Sequence, residues 1–311
     1  MQQIILHHYP LSPFAEKIRQ VLGYKRLPWA SVVVPNIMPK PDVVALTGGY
    51  RRTPFLQIGA DIYCDTALIC DVVEQLAPTP SLYPQGRKGE ARVVAQWADN
   101  LLFPVAMAYN FQPPGVAQVF ADATPEQIKA FVQDRAAMRG GAPRMAGPDA
   151  TAMYKSHLRR LADMLGNQAF LMGDQPSLAD FAACHPLWFT VNKTPAMAGI
   201  LDSTPALKPW IQRMSAFSHA PAQEIDATQA LAVSREATPV ALDDGPFQDE
   251  HGIALGSDVV VVAESFGVEP TAGTLVAATR TRYTLQRSDP RAGLVHVHFP
   301  RMGFLLKKAE A

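Results

Sequence analysis

Neither sign of charge is in excess in this chain: 28 Lys and Arg balance 28 Asp and Glu over 311 residues. Without net charge there is no long-range field to gather nucleic acid, an anionic membrane or a strongly charged partner, so any ligand must be held by local groups. Cysteine is scarce too. Cys64, Cys70 and Cys184 are odd in number and match no zinc or CxxC spacing, which argues against a disulfide framework and reads as small, reduced core residues in a reducing compartment. Also missing is any apolar run approaching the ~20 residues of a spanning helix, and residues 1–11 have no basic stretch and no long apolar run of a leader. The expectation is a cytoplasmic protein that engages neither membrane nor nucleic acid. Internal repeats and low-complexity runs are absent as well, so the length divides into two or three ordinary domains.

What is present is a change of period along the chain. Residues 3–6 are a short apolar run ending at His7-His8-Tyr9-Pro10, a first strand and its loop. Ser12-Pro13 then reads as a helix N-cap and first position, with Ile18, Val21 and Leu22 as the buried stripe. Residues 30–34, β-branched and closed by Pro35, predict a second strand and so a βαβ unit. A proline-rich loop through Lys40, a short helix from Asp42, a hairpin of residues 55–58 and 61–63, and a helix over 66–76 follow. Residues 77–89 carry three prolines and two glycines and mark a linker. Beyond it, 91–103, 125–138 and 151–165 recur at helical spacing, with a loop at 140–148. Ser177-Leu178-Ala179-Asp180 has the shape of a capping box ahead of a deeply buried helix over 181–188. Periodicity fades from 224 to 245. After Ile253 the period becomes two, over 259–263, 274–285, 294–299 and 304–307, which predicts a small antiparallel barrel or sheet. The predicted units are 1–78, an all-helical 89–222, and an all-β, barrel-like module at 246–311.

In that last unit His296 and His298 alternate with Val295 and Val297, which places both imidazoles on one face of a strand. They could ligate a metal only with a third group such as His251, and no metal is expected. Arg280, Arg282 and Arg287 are among seven Lys and Arg from Pro246 onward that seven Asp and Glu offset, so a packing or partner-binding surface is expected there rather than a nucleic-acid interface.

The order βαβαββα followed by helices, over about residues 1–220, resembles the cytosolic glutathione transferase superfamily. Ser12-Pro13-Phe14-Ala15-Glu16 is similar to the start of the first helix in its omega and tau classes, with Ser12 at the catalytic position. Thr53-Pro54 falls at the family's cis-proline, Asp65-Thr66 where it has Glu-Ser, and Lys40, within Pro39-Lys40-Pro41, where the omega class has a lysine. The Ser177 to Asp180 box resembles the family's helical-domain capping motif. The resemblance implies a thioredoxin-like N-terminal domain, an all-α domain, a homodimer, and glutathione as co-substrate with no metal. It further implies that Tyr9, Phe14, Lys40, Thr53, Pro54, Asp65 and Thr66 bind the tripeptide.

The chemistry follows from the thiol, which attacks an electrophile only as thiolate. A Ser12 hydroxyl donating to sulfur is worth roughly 1.5–3 kcal/mol, on the order of one to two pKa units, and the helix N-terminus adds partial positive charge. Serine cannot form a mixed disulfide, so conjugation or isomerisation is expected over thiol exchange. Ser12 and Asp65 also read as plain N-caps and Lys40 as a solvated loop lysine, while Tyr9 competes with Ser12 for the sulfur or forms a wall. A small apolar electrophile would lie against Phe103, Met107, Tyr109, Phe111 and Trp188. The alternative is a non-catalytic scaffold or ligand carrier, favoured if Tyr50 or Arg52 fills the tripeptide groove.

Overall fold

The computed structural model describes residues 2–217, 219, 222–242 and 246–309. β1 (Ile4–His8) sends Ile4 and Leu6 to one face and Ile5 and His7 to the other, because strand side chains alternate. α1 (Pro13–Tyr24) begins at Ser12, whose Oγ accepts the Ala15 N–H at 3.1 Å. β2 (Trp29–Val33) lies parallel to β1, so the connection through α1 is the βαβ unit. α2 (Pro41–Thr47) stops at Gly48, whose φ of 81° ends the helix in a left-handed turn. β3 (Phe55–Ile58) and β4 (Asp61–Cys64) form the hairpin, and α3 (Thr66–Leu76) closes this part.

The helical half runs α4 (Lys88–Trp97), a π-helical turn over Ala98–Leu102, α5 (Phe103–Asn110), α6 (Pro113–Val119), α7 (Pro125–Arg139), α8 (Gly147–Leu165), α9 (Leu178–Asn192) and α10 (Leu207–Ser215). α9 is anchored by the buried Asp180, which accepts from the Ser177 N–H and Oγ at 2.9 and 2.8 Å, and also from Leu171 N and Trp210 Nε1. One carboxylate thus serves the cap, a loop and the largest fully buried side chain. No helix among the described residues is long and apolar enough to cross a membrane.

The segment where periodicity fades holds β5 (Ala222–Glu224), parallel to β2, and α11 (Ala227–Glu236), which opens on a capping box between Asp226 and Gln229. The C-terminal strands are β6 (Asp258–Ala263), β7 (Thr271–Ala278), β8 (Arg282–Asp289), β9 (Gly293–Pro300) and β10 (Phe304–Lys308). The single strand expected over 274–285 is therefore two. The turn between them has neither Gly nor Pro; it is held by the Thr279 hydroxyl, which accepts from Thr281 N and Arg282 N, and by the Thr279 N–H donating to Arg282 O.

The module takes the form of a sheet, and that sheet is continuous with the first. The order is β10-β6-β7-β8-β9-β4-β3-β1-β2-β5, joined where β4 and β9 run parallel with Asp61 opposite His296 and Tyr63 opposite His298. One face of β1 and β3 packs with α1, α3 and the helical half around Leu6, Leu56 and Leu22. The opposite face, with Ile5, Phe55 and Ile62, shares one apolar cluster with Val261, Leu285, Val297 and Phe299 of the module. Each such side chain contributes roughly 1.5–3 kcal/mol on full burial, so the module's attachment is a core rather than a tether.

Candidate active site

The sheet's register assembles the site. Phe55 lies opposite both His7 and Cys64, so the chain that follows β1, the chain that precedes β3 and the chain that follows β4 all emerge at one edge. Tyr9 and Ser12, Thr53-Pro54, and Asp65-Thr66 are thereby brought together, and the Thr53–Pro54 bond is cis. The start of α2 delivers Lys40 beside them. All of these residues, with Phe14, line a single cavity of about 1960 Å³ between the N-terminal domain, the helices and the module.

Ser12 is almost fully buried. Its oxygen accepts the Ala15 N–H, and its own hydroxyl reaches the Thr53 carbonyl at 3.4 Å, longer than an ordinary O–H···O bond. That proton is weakly held and lies at the positive end of α1. Lys40 donates to Arg51 O at 3.2 Å and Thr53 Oγ1 at 3.3 Å, with its ammonium 5.9 Å from the Tyr9 ring centre. Burial, with Arg135 and Arg51 nearby, pushes its pKa down to about 8. Asp65 caps α3 by accepting the Ala67 N–H at 2.9 Å, from a backbone at φ 76° and ψ 137° that non-glycine residues rarely adopt. Such a conformation costs on the order of 1–3 kcal/mol and persists only where the surroundings impose it.

Beneath Thr66 is a charged network that the sequence reading did not find. Lys17 donates to Asp99 Oδ2 at 2.6 Å and to Thr66 Oγ1 at 3.2 Å, and His185 Nε2 meets Asp99 Oδ1 at 3.0 Å. Burial works against the Lys17 ammonium, yet Asp99 holds its pKa above the ordinary value; burial likewise opposes the Asp99 carboxylate, which Lys17 and His185 hold below its own. Burial lowers the His185 pKa despite Asp99, so the imidazole is neutral. The available signal was His185 inside the apolar run of α9 and Lys17 four residues from both Pro13 and Val21, on the stripe that faces inward.

Of the residues expected to receive the second substrate, Phe103, Met107 and Phe111 line the cavity. Tyr109 and Trp188 do not. The Tyr109 ring packs on Tyr154 and its hydroxyl donates to Met197 O at 3.0 Å, while Trp188 turns away from the cavity to carry Lys193 5.1 Å above its ring. Both sit on helices with apolar residues nearly all round, where periodicity does not tell the cavity side from the core side. Phe120, Phe131 and Phe189 complete the apolar wall instead.

Tyr50 and Arg52 border the cavity but are committed to the module. Tyr50 is buried against Phe299 and Phe304, and Arg52 donates from Nε to Phe266 O at 2.7 Å and from Nη2 to Ser265 O. Arg51 pairs with Asp134 of α7 and, at 2.8 Å, with Glu269. Both His298 nitrogens have partners, Asp61 Oδ1 and Thr284 Oγ1, each at 2.9 Å; His296 Nδ1 is 3.9 Å from Asp61. No group of three or more potential metal ligands occurs among the described residues.

Residues 6–81 match the family profile described as glutathione S-transferase, N-terminal domain, and residues 150–217 match its C-terminal domain. A GST-like protein of known structure from Pseudomonas syringae is 40% identical, covering 99% of this chain and 100% of that one with a TM-score of 0.78, so the added module is present there too. FtsZ-localized protein A of Caulobacter vibrioides is 26% identical over 191 residues, 57% of this chain and 73% of that protein. A tau-class glutathione S-transferase from Mangifera indica, 17% identical over 69% of this chain and 89% of its own, shares the fold with a TM-score of 0.50. With two matching domains in the right order and a relative that spans the whole chain, this protein belongs to the glutathione S-transferase superfamily.

Proposed function

We propose that the protein is a glutathione-dependent transferase, acting in the cytoplasm as a homodimer, in which Ser12 stabilises the thiolate. The observation that carries this reading is the convergence of Ser12, Thr53 beside cis-Pro54, Asp65-Thr66 and Lys40 on one end of a cavity whose other wall is aromatic. The tripeptide's α-ammonium would meet Asp65, its γ-glutamyl carboxylate Thr66 and the N-terminus of α3, and its glycyl carboxylate Lys40. Ser12 would exchange its long bond to Thr53 O for a charge-assisted bond to sulfur. The thiolate then attacks the electrophilic carbon, a C–S bond forms, and the leaving group departs with its electron pair.

Calorimetric titration with glutathione, paired with ultraviolet detection of the thiolate against pH, tests this. Wild type should bind and show thiolate near neutral pH; Ser12→Ala should bind but show it about one to two pH units higher. Unchanged thiolate in the variant would move the role to Tyr9 or the helix terminus, and absence of binding at millimolar glutathione would remove the reading. A non-catalytic assembly role is the second reading. It draws on the engagement of Arg51 and Arg52, on either side of the main chain leading to Thr53, by the module, and on a relative named for localisation with FtsZ.

A further inference from the structure

The cavity is larger than its assigned contents. Sites for one small ligand span about 300–1,000 Å³, and this one is about 1960 Å³. Besides the tripeptide residues and the aromatic stretch of Phe103, Phe111, Phe120 and Phe131, a further wall, joined to the chain before Thr53 through Arg52, is made by loops of the module and the end of α7. These are fixed to one another: the Gly267 N–H donates to Met138 O at 2.7 Å, which sets the next residue, Arg139, beside the module's loop. Phe266 and Met302 line this end with 42% and 68% of their surfaces exposed, apolar groups left uncovered inside a concave site.

The charge of the lining is uneven in a chain that is neutral overall. Ten Lys and Arg but five Asp and Glu line the cavity. Most of the cations are already satisfied: Arg51 and Arg135 by Asp134, Arg52 by carbonyls, Arg92 by Asp71, Arg301 by Glu250. The side chains of Arg280, exposed on the β7–β8 turn, of Arg139, at the end of α7, and of Arg144, in the loop before α8, have no hydrogen bond or ion pair among the described residues. Of the acids in the lining, Glu264 lies at the module end without pairing to any of them, and Glu126 is at the opposite end of α7. Of the three arginines, Arg139 and Arg280 stand at the module end, and their open guanidinium forks next to uncovered apolar side chains match a carboxylate on an apolar stem.

We propose that the module end of the cavity selects the second substrate, an extended amphipathic electrophile whose carboxylate is held by Arg280 and Arg139 while its reactive carbon lies by Ser12. The reaction beside Ser12 is that of the transferase reading, on which this rests; the carboxylate itself does not react.

The probes are a chlorodinitrobenzene ring carrying an alkyl chain that ends in a carboxylate, the same compound as its methyl ester, and unreactive dodecanoate. For wild type, kcat/KM for the acid should exceed that for the ester about tenfold, and Arg139→Gln with Arg280→Gln should abolish the preference while leaving the ester rate unchanged. Dodecanoate should bind in the absence of glutathione and weaken about tenfold in the same double variant, whereas methyl dodecanoate should be indifferent to it. Dodecanoate binding that depends on the arginines without any turnover would sustain the anion site and sink the transferase chemistry. Turnover with no preference for the acid, or a preference that survives the double variant, would overturn the proposal and leave the transferase standing.

Discussion

Two seams join the N-terminal domain to the rest of the chain, and they are made of different materials. Toward the helices the seam is ionic: Lys17, Asp99 and His185 under Thr66, closed over by Phe14 and Phe103 against the His185 ring. Toward the module it is a backbone ladder between β4 and β9 beside a shared apolar cluster, with His298 between Asp61 and Thr284 and Tyr63 stacked on its ring at 4.6 Å, and its ion pair, Arg51 with the half-exposed Glu269, stands at the edge. A buried ion pair concentrates its energy in few atoms, each of which leaves the others stranded if removed. A ladder spreads the same task over many bonds, none of them decisive. The first seam should therefore break at a point, and the second should loosen by degrees.

The strongest way to break this contrast is Asp99→Ala. It abandons a fully buried ammonium and a buried imidazole, and should cost about 3–5 kcal/mol, read as a lower urea midpoint at unchanged slope. Lys17→Met added to Asp99→Leu should recover most of that loss, since apolar replacements remove the stranded charge with its partner.

Acidification should act on the other side. The His7 pKa is lowered from 6.5 to about 4 by burial, against its bond to Gln57, and burial lowers that of His298 as well. Gln57 in turn donates to Ala230 O of α11, which packs on β9. Because the folded-state pKa values lie below the unfolded ones, the unfolded chain binds these protons first. Stability present above pH 6.5 is then lost as pH falls toward 4, by on the order of 3 kcal/mol for His7 alone. Asp99, held below the ordinary carboxylate value, keeps its charge over most of that range. Burial lowers the His185 pKa in α9 as well, but the Asp99 carboxylate beside it offers the added proton a counter-charge that His7 lacks; hydrogen exchange across pH 6.5 to 4 should thus show β9 and β4 losing protection before α4 and α9, and the reverse order would contradict the contrast.

The smallest effect is expected from Asp61→Asn. It weakens the bonds to His298 and to Val240 N but leaves the ladder, and should cost about 1–2 kcal/mol, confined in exchange experiments to residues around β4 and β9.

Much of the first 80 residues could be read directly. Ser12-Pro13 has the pairing preferred at a helix start, the β-branched run of residues 30–34 closed by Pro35 is a strand, and Thr53-Pro54 stands at the mouth of a hairpin. α11 was hidden because ten residues give a weak periodic signal, although its Asp226 and Gln229 have the spacing of a capping box. The turn at Thr279 was hidden because a hydroxyl performs what glycine or proline usually signals. Tyr109 and Trp188 show the limit for the site: an aromatic residue on a helix that is apolar all round has no preferred side until its neighbours arrive.

By itself the sequence determined the order of an α/β start, a helical half and a strand-rich end, with the βαβ unit and the capped helices. These are local matters, settled by side-chain period and by hydrogen bonds spanning three or four residues. Only the tertiary structure decided that the module's sheet continues through β4, that Lys17, Asp99 and His185 form one network across 168 residues of chain, and that Arg280 and Arg139 share a cavity with Ser12. Strand pairing, burial of charge and the walls of a cavity depend on which distant segments meet, and a one-dimensional pattern carries no term for that meeting.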